Sequence, residues 1–320
     1  MKKITIGLIG NPNTGKTTLF NQLTGARQRV GNWAGVTVER KEGQFFTAQS
    51  DVRLIDLPGT RSLTTLSAES SIDESIACQY LYQDHADVVI NVVDASSLES
   101  NLFLTFQLLE LGVPCIVALN MQDIAASQNI TINVAALSAH LGCPVVSLTS
   151  TKGDGIAQLK ALIDQPHIYR APERVRYPAA IETAIEQLCQ QLPAAIAPQK
   201  RYWLALQLLE GDINSQKLCP ALVPHLPEIM QQAGGETGVQ IADYRYRTIN
   251  ALCAAVSNIH HAMPAGLTRR IDKIVLNRWL GIPIFLAVMY VMFVLSINIG
   301  AALQPQFDSS SVAILIHGAQ

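Results

Sequence analysis

Apolar runs of strand length recur through the first half of the chain, with helix-length stretches between them. Residues 4–9, 113–119 and 145–148 are almost wholly apolar, as strands buried on both faces of a parallel sheet are. Residues 98–111 carry apolar positions at helical spacing. Residues 38–46 and 51–57 read as one antiparallel hairpin in an otherwise parallel sheet. From 171 to about 263 the strand pattern stops. There 178–192, 200–209, 221–233 and 238–261 show helical spacing, punctuated by Pro193, Pro198, Pro220 and the Gly234-Gly235 pair, which predicts a small helical bundle. Residues 280–303 then form 24 positions without a charge, against about 20 needed to cross a bilayer. The pattern predicts an α/β domain with a mixed, mainly parallel sheet (1–168), a small all-α domain (169–268), a basic juxtamembrane segment with a first transmembrane helix (269–304), and the start of a following region (305–320).

The corner after the first strand carries the chemistry. Gly10-Asn11-Pro12-Asn13-Thr14-Gly15-Lys16-Thr17 fits G-x-x-x-x-G-K-[ST] between a strand and a helix, a loop whose backbone N–H groups cradle polyphosphate at a helix N-terminus. Lys16 is spaced to reach the β- and γ-phosphates, and the Thr17 hydroxyl, followed by Thr18, to ligate Mg²⁺. A flexible glycine turn with a solvated lysine is the plain alternative.

The order of later motifs selects the nucleotide. The second hairpin strand ends in Asp56-Leu-Pro-Gly59, where Asp56 would hold Mg²⁺ through water and the Gly59 N–H would meet the γ-phosphate. The strand at 113–119 ends in Asn120-Met121-Gln-Asp123, and the strand at 145–148 leads to Ser150-Thr151-Lys152. A carboxylate at Asp123 accepts two hydrogen bonds from adjacent N–H donors, which guanine offers and adenine does not. The loops fall on one sheet edge, where open α/β sheets bind ligands. Asn91-Val-Val-Asp94 matches the same spacing, but Asp94 is read as the cap of the helix beginning near Ser96.

Composition changes the picture less. A net charge of −2 with 15% charged residues leaves no basic footprint for nucleic acid. The six cysteines form no C-x-x-C pair and read as reduced core thiols. The N-terminal strand is short and already used by the phosphate loop, so it does not read as a signal peptide. Arg269, Arg270, Lys273 and Arg278 precede the long apolar run and no cation follows it, which places residues 1–278 in the cytoplasm. Asn298 is a polar position within that run, either an ion-path residue or helix-packing glue. His260-His261, Arg61 and the acidic pairs Glu210/Asp212 and Asp73/Glu74 read as solvated or capping groups.

The stretches 10–24, 30–39 (Val-Gly-Asn-Trp-Ala-Gly-Val-Thr-Val-Glu), 56–60 and 120–123 together resemble the N-terminal part of the FeoB family of bacterial ferrous-iron transporters. The resemblance covers the whole chain, and the family is longer. It implies a P-loop GTPase with Mg²⁺ and, as in potassium-activated GTPases, K⁺. It places Thr37 in a first switch loop as a Mg²⁺ ligand. Gly35, Val36 and Thr60 would lie in loops that touch the γ-phosphate, with Asp56 and Gly59 opening the second switch. It makes Asn13 a K⁺ ligand, joined by backbone carbonyls around Trp33 and Ala34. Asn13, Lys16, Gly35, Thr37, Gly59 and Thr60 would then serve catalysis. Met121 stands where generic G proteins have lysine, and Thr60 where a Ras-like GTPase has glutamine. The resemblance further implies Fe²⁺ as transported ion, an inner-membrane location, further membrane segments, small accessory Feo proteins, a homo-oligomer, and an influence of the helical domain on nucleotide release, although its side chains read equally well as a plain helical spacer. A different class fits the motifs too: a membrane-tethered regulatory switch whose nucleotide state recruits a partner and which transports nothing.

Overall fold

A computed structural model of the chain places β1 (Lys2–Gly10) at the centre of a seven-stranded sheet. It describes residues 1–25, 28–33, 36–65, 72–83, 85–169, 175–259 and 281–315. These fall into two compact units, 1–260 and 261–320.

In chain order the first unit continues with α1 (Lys16–Thr24), β2 (Gln28–Asn32), β3 (Glu39–Phe46), β4 (Ser50–Asp56), α2 (Ile72–Tyr82), β5 (Val88–Asp94), α3 (Leu98–Leu111) and β6 (Cys115–Asn120). Next come α4 (Gln122–Ser127), β7 (Ile130–Ile132), α5 (Val134–Leu141), β8 (Val145–Ser147) and α6 (Ile156–Ile163). The helical part comprises α7 (Ala179–Gln191), α8 (Pro198–Glu210), α9 (Ile213–Leu218), α10 (Leu226–Gln232) and α11 (Thr237–Val256). A last strand, β9 (Ser257–Ile259), ends the unit.

The sheet order is β2-β3-β4-β1-β5-β6-β8. β1 pairs in parallel with β4 and β5, and β5–β6 and β6–β8 are parallel, whereas β2–β3 and β3–β4 are antiparallel. The expected single hairpin is therefore a three-strand meander. Its outer member, Gln28-Arg-Val-Gly-Asn32, is too polar to read as a strand, which an exposed edge position permits. Period-two alternation sends side chains to opposite faces. Ile4, Ile6, Leu8, Val52, Leu54, Val88, Ile90 and Val92 pack with Leu19, Phe20 and Leu23 of α1. Ile9, Ile55, Leu57 and Val89 face the other layer, with Leu104 and Leu108 of α3 and Trp203, Leu204 and Leu208 of α8. One apolar core thus runs from the sheet into the helical part, because α3 has buried residues all round.

The ends of these helices obey local rules. α3 is followed by Gly112 and α8 by Gly211, both in the left-handed region that glycine tolerates at a helix C-terminus. Asp212 then caps α9, its carboxylate accepting the Ser215 N–H at 2.6 Å. The helical spacing at 238–261 stops early in the structure. At Ser257 the backbone becomes extended and β9 pairs with β7 in a separate two-stranded sheet, a strand in a region expected to have none. Three residues bear too little pattern to be seen.

Arg245 of α11 sits in the core with 0% of its side chain exposed, between Glu110 of α3 and Glu210 of α8. Its Nη2 lies 2.7 Å from Glu110 Oε2, and its Nη1 lies 2.5 Å from Glu210 Oε1. The Tyr177 hydroxyl donates to Glu110 Oε1 and accepts from Arg245 Nε at 2.9 Å. Burial and then the charge of Glu110 push the Tyr177 hydroxyl far above its ordinary value, so it stays a donor. Burial also raises the Glu210 carboxyl, against the pull of Arg245. Glu210 was expected to face solvent; its buried partner, 35 residues away in sequence, left no local signal.

The second unit contributes α12 (Gly281–Leu315). Its window Gly281–Asn298 has a mean hydropathy of 2.1 and is 0% buried, so this helix is long and apolar enough to cross a membrane. The helix runs on past the expected end at 303, since a fall in hydropathy does not break backbone hydrogen bonds. The Asn298 amide donates to Val294 O at 2.8 Å, back onto its own helix. The basic positions 269–278 and His260-His261 lie outside the described residues.

Replacing Arg245 by methionine should lower unfolding free energy by roughly 3–5 kcal/mol, because two buried carboxylates lose their counter-charge. Arg247→Met, which removes an exposed pair with Asp243, should change it by less than about 1 kcal/mol. Urea denaturation of both variants checks the contrast.

Candidate functional site

β1 ends at Gly10, where an added Cβ would lie 2.6 Å from Val92 O and 3.0 Å from Thr14 Oγ1. A side chain there would push β1 away from β5. The loop then turns back through two left-handed residues, Asn13 (φ 67) and Gly15 (φ 85), a conformation that asparagine and glycine adopt most readily. Asn11 O accepts the Thr14 hydroxyl at 2.9 Å, and Asn11 Nδ2 donates to Ser100 O of α3 at 3.2 Å. α1 begins at Lys16 with no side-chain cap. Its first amides and its dipole therefore remain available to an anion. Thr17 and Thr18 are exposed beside them.

Across the loop stands the end of β4. Lys16 Nζ lies 2.5 Å from Asp56 Oδ1 and donates to Leu57 O at 2.6 Å. Leu57 N–H donates to Leu8 O at 2.9 Å and Thr60 N–H to Gly10 O at 3.2 Å, which fastens 57–60 alongside β1 and its loop. An added Cβ at Gly59 would stand 3.6 Å from Pro12. The Thr60 hydroxyl is buried and donates to Ser62 O at 2.6 Å. Arg61, as expected, is exposed.

The end of β6 forms the third side. Asn120 is buried, and its Nδ2 donates to Thr14 O at 2.9 Å while its Oδ1 accepts both Ser150 N–H and Ser150 Oγ–H at 2.9 Å. One amide thus ties the phosphate loop to the loop after β8. Gly15 makes room for it: a Cβ there would meet Asn120 Nδ2 at 2.4 Å and Met121 Cε at 3.8 Å. Met121 is left-handed (φ 61) and starts α4, which leaves Asp123 exposed with Oδ1 accepting the Ile124 N–H at 3.0 Å. Thr151 and Lys152 are exposed beyond Ser150. The competing motif is structural. Asn91 is buried and donates to Thr105 Oγ1 at 2.8 Å, and Asp94 Oδ1 accepts Ser96 N–H at 2.8 Å and Ser96 Oγ–H at 2.7 Å.

Between β2 and β3, Trp33 N–H donates to Val38 O at 2.9 Å and Trp33 O accepts the Val36 N–H at 3.2 Å. The Trp33 ring is buried, Val36 is half-buried and Thr37 is exposed. Ala34 and Gly35 lie outside the described residues.

Three residues that sequence reasoning missed control the segment after Thr60. Gln107 of α3 is buried and accepts the Leu63 N–H at 2.7 Å, while its Nε2 donates to Ser62 Oγ at 3.1 Å and Thr64 Oγ1 at 2.8 Å. Asp212 Oδ1 accepts the Thr65 N–H at 2.6 Å, and Thr65 O accepts the Ile213 N–H at 3.0 Å. Asn214 Nδ2 donates to both Thr65 Oγ1 and Ser75 Oγ at 3.2 Å. Asp212 had been expected in solvent and is 1% exposed. Its signal was legible: Gly211 then Asp212 is a helix stop followed by an N-cap. Asp73 and Glu74 are half-buried, not free in solvent, and burial followed by the charge of Asp73 raises the Glu74 carboxyl.

A G-x-x-x-x-G-K-T loop, a carboxylate at the end of β4 and an Asn-x-x-Asp loop at the end of β6, all on one sheet edge, define the class: a G domain of the P-loop kind, with a helical domain packed on its α3. The chain belongs to the FeoB family. Residues 4–163 match "Ferrous iron transport protein B" and residues 177–258 match the FeoB cytosolic helical domain. It is 58% identical along its whole length to the Fe(2+) transporter FeoB of Escherichia coli K12 and to that of Salmonella typhimurium, and spans 42% of each. Among solved structures it resembles the cytosolic domain of L. pneumophila FeoB, at 37% identity and a TM-score of 0.71, covering 79% of this chain and 99% of that one. It also resembles a GDP-bound S. thermophilus NFeoB variant (36%, TM-score 0.71, covering 81% and 100%) and the GDP form I of the T. maritima cytosolic domain (34%, 0.72, 81% and 99%).

Replacing Asn120 by alanine should speed amide hydrogen exchange at Ser150 by about tenfold or more, the loss of one hydrogen bond worth roughly 1–2 kcal/mol. Exchange at Val117, in the middle of β6, should stay within about twofold of the wild type if the effect is local.

Proposed function

We propose that residues 1–260 bind and hydrolyse GTP, as the cytosolic part of an inner-membrane transporter that takes up Fe²⁺. The observation that carries this reading is the shared rim: the β1–α1 loop, Asp56 and the Asn120–Asp123 loop fastened together by Asn120. The GDP bound to two relatives supports it, as does the likeness to Fe(2+) transporters.

In this reading the loop amides of 11–17 and the α1 dipole hold the phosphates. Lys16 exchanges its partner Asp56 for β- and γ-phosphate oxygens. Asp123 accepts the two adjacent N–H donors of guanine, and Met121 covers the base face. Thr17 hydroxyl, Thr37 hydroxyl and Asp56 carboxylate are oxygen donors suited to hard Mg²⁺, which when bound neutralises charge on the β- and γ-phosphates. Gly59 and Gly35 offer backbone N–H groups to the γ-phosphate. Water attacks the γ-phosphorus, the bond to the β–γ bridging oxygen breaks, and GDP and phosphate leave. Thr60 has no amide to orient that water, and its hydroxyl is committed to Ser62. A monovalent cation fits the remaining need: Asn13 is exposed at the loop's outer turn, and the Trp33 carbonyl keeps a second lone pair beside its bond from Val36. A K⁺ held by these two oxygens would offset charge on the bridging oxygen.

The helical domain holds Thr65 through Asp212, Ile213 and Asn214, which supports its influence on nucleotide release. α12, together with the basic positions before it, anchors the unit with 1–278 in the cytoplasm. Fe²⁺ passage uses the further membrane segments of the complete protein, with accessory Feo proteins and a homo-oligomer as partners.

Two outcomes test the reading. Asp123→Asn should shift preference from GTP to xanthosine triphosphate by about 10²-fold or more, measured by competition binding; unchanged GTP affinity would remove the base assignment. GTP turnover should be at least about tenfold faster in KCl than in NaCl, and Asn13→Ala should erase the difference. For the transporter role, the complete gene should restore growth of an iron-uptake-deficient bacterium on Fe²⁺.

A further inference from the structure

Beyond β4 the chain leaves regular secondary structure: residues 57–65 belong to neither strand nor helix. Their backbone groups therefore need partners from outside the segment, the more so because Leu63, Thr64 and Thr65 are buried. The near end is held by β1, where Leu57 N–H bonds Leu8 O and Thr60 N–H bonds Gly10 O. Asp212 takes the far end at Thr65. Gln107 of α3 holds the middle, from a side chain in a residue that is 0% exposed.

Both ends of the Gln107 amide are used. Its Oε1 accepts the Leu63 N–H at 2.7 Å, and its Nε2 donates to Thr64 Oγ1 at 2.8 Å and to Ser62 Oγ at 3.1 Å. Ser62 Oγ also accepts the Thr64 N–H at 3.0 Å. Ser62 is joined to Thr60 twice: its carbonyl accepts the Thr60 hydroxyl at 2.6 Å, and its N–H donates to Thr60 Oγ1 at 3.3 Å. An unbroken run of hydrogen bonds thus leads from Gln107 through Ser62 and Thr60 to Gly10, the first residue of the G-x-x-x-x-G-K-T loop. Gly59 stands beside this run without taking part in it. Its N–H makes no hydrogen bond among the described residues, and an added Cβ would lie 3.6 Å from Pro12 and 3.7 Å from Gly10 O. A half-buried donor with no protein acceptor among the described residues is thereby held against the loop by the bonds of its neighbours.

We propose that Gln107 is a positioning residue that sets how strongly the site prefers a guanosine triphosphate to the diphosphate, by fixing the segment that carries the Gly59 N–H. The inference rests on the GTP reading above and deepens it, naming what holds a donor that only a third phosphate would use. A donor already in place costs no ordering when the ligand arrives, whereas one on a loose segment must be ordered first. The diphosphate is held by the amides of 11–17 and by α1, to which Gln107 makes no hydrogen bond among the described residues. Loss of Gln107 therefore weakens the triphosphate selectively.

The test is competition binding to the full chain in detergent with Mg²⁺, comparing GDP with the non-hydrolysable guanosine β,γ-imidotriphosphate. Gln107→Met keeps the side chain's length and removes all three of its bonds. It should bind the triphosphate analogue about tenfold more weakly, with GDP affinity within about twofold of wild type, and amide exchange at Leu63 should speed by a similar factor. Thr64→Val removes one acceptor from the segment's side. It should move both readouts in the same direction by less, and it carries the test if Gln107→Met does not fold. Thr105→Val breaks the bond from Asn91 to the same helix, and should leave the preference as in wild type whatever it costs in stability. An unchanged preference in the folded variants overturns the proposal, as does a stronger one, which would mark Gln107 as a restraint on triphosphate binding. A weakened preference in Thr105→Val also overturns it, since any loosening of α3 would then suffice. Failure of the wild type to bind either guanine nucleotide instead sinks the GTP reading itself.

Discussion

One buried amide holds the rim together. Asn120 joins the carbonyl of Thr14 to the backbone and hydroxyl of Ser150, so the phosphate loop and the loops at the ends of β6 and β8 cannot drift apart independently. In the interior a bond of this kind is stronger than in water, and an unmade one is costly. The constraint reaches into the sequence. Gly15 must lack a Cβ because Asn120 occupies the space beside it, and Gly10 must lack one because β5 closes on β1. The two glycines of the loop motif are thus the residues that let the loop sit against the sheet.

From this rim a second set of bonds leads outward. Thr60 is tied to Gly10, Leu63 to Gln107 and Thr65 to Asp212. Gln107 and Glu110 stand one turn apart on α3, and Glu210 and Asp212 flank Gly211 at the α8–α9 corner. The same two elements that hold 62–65 therefore also clamp Arg245. A guanidinium with two buried carboxylates contributes little net stability over apolar packing, but breaking it is severe. Arg245 thereby joins α3, α8 and α11, and Gln107 of α3 and Asp212 beyond α8 also bond 62–65.

Much of this was legible in the chain. The helix at 98–111 has the bounds its apolar spacing predicts, and the strands at β1, β6 and β8 fall where apolar runs stand, because strands buried on both faces write their position plainly; β4 follows the alternation of 51–57. Asp94 as a cap, against Asn91-Val-Val-Asp94 as a base motif, followed from chain order alone. What escaped were features whose cause is distant. β2 is polar because it is an edge, β9 is three residues long and exists by pairing with β7, and Glu210 looks like a surface acid until Arg245 is brought to it. Local composition reports which groups are charged, and only the fold reports which partner each charge meets. The surroundings of Trp33 belong with these: the tryptophan was visible in the loop, while Tyr80 of α2 and Arg40 of β3 meet its ring from other elements.

The most direct test of the account is calorimetric titration of the full chain, in detergent with Mg²⁺, with GDP and separately with ADP. Saturable heat with GDP at one site per chain, and none with ADP at the same concentrations, is the predicted result. No heat with GDP, or equal affinity for both diphosphates, would contradict it.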